Sequence, residues 1–177
     1  MIYYIHGYLS SPNSEKGKLL KEKLGVIPIK YRDCKPEELV IRECIDRIKS
    51  VVSNDKNIVL IGSSLGGYLA AETALELKID KLILLNPAIV PPDANTEDID
   101  LPARILEEMK DERLLSTKIP SDLTILMATE DEVIPKDWIL NFAMAQESKV
   151  MFSKDDHRFS RNMIRLPEII SKIMECF

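Results

Sequence analysis

The run Ile58-Val59-Leu60-Ile61-Gly62-Ser63-Ser64-Leu65-Gly66-Gly67-Tyr68 constrains this chain more than any other stretch. Four apolar, mostly β-branched residues read as a buried parallel strand, and an Ala-rich helical pattern follows Tyr68. Between them lies Gly-x-Ser-x-Gly, the spacing of a nucleophile elbow, where a serine is held on a sharp strand-to-helix turn. Side chains two residues before and after such a serine would collide, so Gly62 and Gly66 leave the room. Centring the motif on Ser63 would need glycines where Ile61 and Leu65 stand, which makes Ser64 the candidate nucleophile. The same glycines would also suit an ordinary strand-to-helix turn or a phosphate-binding loop. Catalysis therefore depends on what partners the rest of the chain supplies.

The remaining elements alternate. Residues 2–5 form a short apolar strand ending in His6-Gly7-Tyr8. A polar loop leads to a helix from about Glu15 to Leu24, closed by Gly25. Val26-Ile27-Pro28-Ile29 is the second strand, and its proline places it at or near the sheet edge. Pro36 opens a helix to about Val52 with one buried stripe. The elbow strand is third, with its helix running to about Leu77, and Lys81–Leu85 is fourth. From Asn86 to Ser121 the alternation breaks, with prolines at 87, 91, 92, 102 and 120 and an excess of acidic residues. A helix over about Leu101 to Leu115 is expected inside this insertion, and a lid or substrate cap at about 88–121 is the expected use, against a solvated loop. Leu123–Ala128 is the fifth strand, followed by a helix over about Lys136 to Ala145; Lys149–Phe152 is the sixth, and residues 164–176 are the last helix. Six strands separated by helices imply an α/β fold with a parallel sheet, right-handed crossovers and helices on both faces. Ligand sites in such sheets lie beyond the carboxyl ends of the strands.

That rule selects the partners. His6 and His157 are the only histidines, and both follow strands at that edge. Serine hydrolases of this architecture run Ser, acid, His along the chain, an order that His157 satisfies and His6 does not. The acid must come between them, and Glu130, Asp131 and Glu132 all follow the fifth strand directly. Asp131 is favoured, because Asp-x-Val-x-Pro suits a turn that aims one carboxylate inward; Glu130 and Glu132 stay open as competitors. In this scheme Ser64 attacks a carbonyl, His157 moves its proton, and Asp131 fixes the imidazole. The oxyanion would take the backbone N–H of Leu65, at a helix start, and that of Tyr8.

These stretches resemble the α/β-hydrolase superfamily, and within it the small bacterial YqiA-type esterases. The likeness rests on Tyr4–Tyr8 with Ser10-Ser11-Pro12, Ile61–Tyr68, Leu85–Ala88, Asp131–Pro135 and Asp156–Phe159, so it spans nearly the whole chain. It implies a minimal α/β-hydrolase fold, a three-layer sandwich with six parallel strands in the order 2-1-3-4-5-6. It also implies Ser64, Asp131 and His157 as a catalytic triad, with Tyr8 and Leu65 as the oxyanion hole. The chain departs from the pattern at Ala128-Thr129, where many relatives have glycine, and before His157, where no glycine stands.

Composition narrows the classes further. A chain of 177 residues, 45% apolar and 30% charged, reads as one soluble domain over 1–177. Its net charge of −5 with interspersed signs argues against nucleic-acid binding, and apolar runs of four or five residues are too short for a membrane span. No signal peptide is apparent, and Cys34, Cys44 and Cys176 read as reduced core thiols, so a cytoplasmic protein is expected. No cofactor or metal is implied, since two histidines and scattered cysteines lack ligand spacing. The expected activity is hydrolysis of small, short-acyl esters in a modest pocket lined by Tyr8, Leu65, Pro87, Ile89 and Val133. A thioesterase or other acyl transfer on the same triad, or an inactive binding module, are the alternatives.

Overall fold

Side chains alternate along the central strands between two apolar layers, and that alternation organises the molecule. The computed structural model describes residues 1–175. Its strands are β1 (Ile2–Ile5), β2 (Ile27–Pro28), β3 (Val59–Ser63), β4 (Lys81–Leu85), β5 (Asp122–Ala128) and β6 (Lys149–Ser153). All pair in parallel, in the order β2-β1-β3-β4-β5-β6. The helices are α1 (Glu15–Leu24), α2 (Ile41–Val52), α3 (Leu65–Glu76), α4 (Ala103–Met109), α5 (Arg113–Ser116), α6 (Lys136–Gln146) and α7 (Leu166–Glu175).

Leu60, Leu82, Leu84, Ile125 and Met127 point to the face covered by α2, α3, α4 and α6, forming the larger core. Their neighbours Ile61, Ile83, Leu85, Leu126 and Ala128 point the other way, onto Leu20 of α1 and Leu166, Ile170 and Ile173 of α7. A period of two with both faces apolar is what a strand buried between helix layers requires. The α3 helix is buried along Leu65–Ala74, which explains why its sequence shows alanines rather than an amphipathic stripe.

Several boundaries differ from the sequence reading, each for a local reason. The second strand shortens to Ile27–Pro28 at the sheet edge, where a residue without an N–H is tolerated. Pro36 opens only a 3-10 turn, Pro36–Glu38; Leu39 and Val40 are extended, and α2 starts at Ile41, whose N–H donates to the Glu108 carboxylate at 2.9 Å. The single helix expected over 101–115 is two helices. Lys110 leaves helical geometry, and the Asp111 carboxylate takes the Arg113 N–H at 2.8 Å, starting a new turn. Residues 163–165 form a 3-10 turn before α7, and the expected end at residue 176 lies outside the described residues. Cys44 is buried, but Cys34 is exposed in the turn after β2 and is not a core thiol; Cys176 lies outside the described residues.

The 86–121 insertion is not a loose loop. Ile105, Leu106, Met109, Leu114 and Ile119 are buried in the larger core. Arg104 donates to the Leu39 carbonyl at 2.8 Å, Tyr68 Oη to the Glu108 carbonyl at 3.3 Å, and Arg113 to Glu72 at 2.8 Å. These contacts fasten α4 and α5 to α2 and α3.

Candidate active site

The strand register brings the carboxyl ends of β1, β3, β4, β5 and β6 to one edge, so the loops after Ile5, Ser63, Leu85, Ala128 and Ser153 converge. Ser64 occupies the turn between β3 and α3 with φ 56° and ψ −121°, a conformation that strains any residue with a side chain. The helix begins at Leu65, four residues before the Ala-rich pattern becomes visible after Tyr68. A Cβ on Gly62 would lie 2.3 Å from the Gly66 carbonyl oxygen, and one on Gly66 would lie 2.2 Å from that of Ile5. Both clashes are with backbone, which cannot move aside. Gly67 is required as well, because its Cβ would lie 2.8 Å from Pro87 Cβ.

His157 reaches Ser64 from the loop after β6. Its Nε2 lies 3.0 Å from Ser64 Oγ, and its Nδ1 lies 3.0 and 2.9 Å from the two Asp131 oxygens. A carboxylate can only accept, so Nδ1 carries the proton and Nε2 faces the serine as an acceptor. Asp131 Oδ1 also takes the N–H groups of Val133 (2.8 Å) and Ile134 (2.9 Å), which locks the carboxylate in its turn with its side chain fully buried. The competing acids stand elsewhere. Glu130 pairs with Arg161, and Glu132 accepts the backbone N–H of His157 at 3.1 Å. Thr129 donates its N–H to the Ser153 carbonyl at 2.8 Å and continues the β5–β6 pairing.

The Tyr8 loop is held from β2's side. Arg32 donates to the carbonyls of Tyr8 (2.7 Å), Ser10 (3.0 Å) and Cys34 (3.3 Å), and Tyr31 Oη donates to the Gly7 carbonyl at 3.3 Å. Among the described residues, no backbone acceptor is paired with the N–H of Tyr8 or Leu65. His6 is buried and stacks on Tyr31 with ring centroids 4.4 Å apart. Burial pushes its pKa down to about 4, so the ring is neutral and donates to the Gly7 carbonyl. Of the expected pocket residues, Pro87 packs on α3 beside Gly67, Ile89 is buried in the larger core, and Val133 is 41% exposed.

Sequence reasoning missed several supporting residues. Asn86, fully buried after β4, donates its amide to the His157 carbonyl at 3.0 Å and accepts the Ala128 N–H at 2.7 Å. Asp155 is also fully buried and collects the N–H groups of Asp156, Arg161 and Asn162. Lys16 is buried beneath the elbow, with Nζ 3.2 Å from Ser63 Oγ. Of these, only Asn86 stands directly after an apolar run, Leu82–Leu85, a placement that many surface turns share and that does not reveal its role. Among the described residues, no group of three or more His, Cys, Asp or Glu side chains could hold a metal ion, and no helix is long and apolar enough to cross a membrane.

Solved structures with the same fold include Est1E from Butyrivibrio proteoclasticus, at 18% identity over 98% of this chain and 86% of that one, TM-score 0.80. Est1E has also been solved with ferulic acid bound. A putative hydrolase of the alpha/beta superfamily from Xanthomonas campestris pv. campestris matches at 22% identity over 99% of this chain and 98% of that one, TM-score 0.69. Alpha/beta hydrolase domain-containing protein 10 from mouse matches at 21% identity over 98% and 89%, TM-score 0.75. No curated protein matches the chain. The six-stranded parallel sheet, its strand order and its helix layers are those of an α/β-hydrolase fold. The model of the Uncharacterised protein family (UPF0227) matches residues 1–173, and the chain belongs to that family.

Proposed function

We propose that this chain is a serine esterase, hydrolysing small, short-acyl carboxylic esters through an acyl-enzyme. The observation that carries the reading is the imidazole of His157, held between the Asp131 carboxylate and Ser64 Oγ. In this reading His157 Nε2 takes the Ser64 proton as Oγ attacks the ester carbonyl, then gives it to the departing alcohol. Asp131 keeps the proton on Nδ1 and stabilises the imidazolium. The N–H groups of Tyr8 and Leu65 receive the oxyanion, the latter aided by the dipole of α3. Water, activated by the same imidazole, then releases the acid.

The ferulic acid bound to Est1E is a carboxylic acid, the product class that such an enzyme releases. Single-domain folding with α4 and α5 as a cap, and a cytoplasmic place of action on a small-molecule ester, belong to the same reading. The test is mass spectrometry of the intact protein and its peptides after treatment with a fluorophosphonate. A single adduct on Ser64, absent in Ser64→Ala, supports the reading. No adduct in folded protein overturns it and leaves a binding module.

A further inference from the structure

Lys16 stands in the first turn of α1 and is 8% exposed, an uncommon burial for lysine. Its ammonium donates to Ser63 Oγ at 3.2 Å and lies 5.3 Å from the centroid of the Phe159 ring. Ser63 immediately precedes Ser64. Phe159 is the second residue after His157, is buried, and has φ 59°, so the chain turns sharply there to present its ring. The helix that carries Lys16 is itself reached through the Tyr8 loop. Its position is fixed at both sides: Ser14 caps the helix, and a Cβ on Gly17 would lie 2.4 Å from the Pro12 carbonyl oxygen. One buried cation thus joins the elbow to the His157 loop, from an element anchored to the Tyr8 loop.

We propose that Lys16 is a positioning residue whose ammonium charge holds the His157 loop against the elbow, so that neutralising it loosens the His157–Ser64 alignment. This rests on the esterase reading of Ser64 and His157. The charge has definable neighbours. Asp155 and Asp156 attract it, Arg158 opposes it, and the Tyr4 phenol of β1 meets the same Ser63 hydroxyl. Burial pushes the Lys16 pKa down to about 8, partly offset by the two aspartates. A neutral amine could still bond Ser63. It would lose the attraction to the Phe159 ring face and to Asp155, the carboxylate that gathers the loop by three backbone N–H groups. A purely packing role would survive in Lys16→Met, which fills nearly the same volume.

The experiment follows the rate of fluorophosphonate labelling of Ser64 from about pH 6 to about pH 10, in wild type, Lys16→Met and Lys16→Arg, with a thermal melt at each pH. Wild type should rise and then fall above the Lys16 titration at about pH 8. Lys16→Met should label about tenfold more slowly at neutral pH and show no alkaline fall. Lys16→Arg, whose charge does not titrate in this range, should also lack that fall. An alkaline fall that persists in Lys16→Met, or a neutral-pH rate equal to wild type, overturns the proposal; if Lys16→Met does not fold, a fall persisting in Lys16→Arg does the same. A second readout is independent of turnover: the ring-proton resonance of His157, one of two histidines, should show an inflection near pH 8 that Lys16→Met lacks. Wild type that never labels removes the esterase reading, while the resonance still decides whether Lys16 and His157 are coupled. The same inflection in the variant, or none in wild type, overturns the coupling.

Discussion

The side-chain amide of Asn86 donates to the backbone carbonyl of His157 at 3.0 Å, across 71 positions of sequence. The other end of the amide accepts the Ala128 N–H at 2.7 Å, and the backbone N–H of Asn86 donates to the Leu126 carbonyl at 3.1 Å. One side chain therefore ties the end of β4 to the end of β5 and to the loop that carries the proposed base. Asn86 has φ 42°, in the left-handed region that asparagine tolerates better than most residues. An amide is the group that serves here, because one end must donate and the other accept.

Asn86→Asp keeps the acceptor toward Ala128 and sets a second acceptor against the His157 carbonyl. Lost pairing at this buried site costs about 1–3 kcal/mol, which in a domain of this size lowers Tm by several degrees. Because His157 shifts, kcat should fall about ten- to a hundredfold with KM changed far less. Steady-state kinetics on a short-acyl ester, alongside thermal melts, check both parts.

Asp131→Asn preserves an acceptor for the Val133 and Ile134 N–H groups, so the turn should remain. It removes the charge opposite His157 and leaves the imidazole without its tautomer-fixing partner, for an expected loss of about 10⁴ in kcat. Glu130→Ala, which breaks only the exposed pair with Arg161, should stay within a few-fold of wild type. The same ester assay on both variants identifies the acid; the reverse ranking would move that role to Glu130.

Glu72 of α3 is 1% exposed, with Oε2 on Arg113 and Oε1 buried without a hydrogen-bond partner. Desolvation raises its pKa to about 7 despite the arginine. The folded state therefore holds this proton more tightly than the unfolded chain does. The stabilisation is full below the ordinary glutamate range and is lost as pH rises through about 7. Denaturant titrations should find Glu72→Gln less destabilised than wild type between mildly acidic pH and pH 8, by an amount on the order of 2–3 kcal/mol.

Arg32→Lys should loosen the Tyr8 loop. A lysine cannot reproduce the guanidinium's simultaneous bonds to the carbonyls of Tyr8, Ser10 and Cys34. Displacing the Tyr8 N–H, the proposed oxyanion donor, should cost up to about a hundredfold in kcat. Comparing kcat with KM for Arg32→Lys checks whether the loss falls on the chemical step.

Much of this architecture could be read from the chain because its signals are local. Gly62 and Gly66 are dictated by backbone clashes within the elbow and against β1, so their spacing survives in one dimension. His157 was singled out by order along the chain, and Asp131 by the turn that its own carboxylate closes on Val133 and Ile134. The helix break at Lys110 was hidden, since Lys, Asp and Glu in succession are ordinary on a helix surface. What stopped the helix was the Asp111 side chain turning back onto Arg113. Asn86, Lys16 and Arg32 were invisible in their roles for a different reason: each bonds partners brought close only by the folded sheet, and no spacing encodes that.

The two halves of the site differ in their footing. Ser64 follows β3, which is paired on both sides by β1 and β4 and backed by the buried α3. His157 follows β6, the last strand of the sheet, paired only with β5 and carrying Phe152 at 59% exposure. Margins of a sheet fray before its centre. Mild heat or low denaturant should therefore detach the proposed proton acceptor while the proposed nucleophile still sits in native structure, so that esterase activity is lost ahead of circular dichroism and the protein behaves as a reversible thermal fuse.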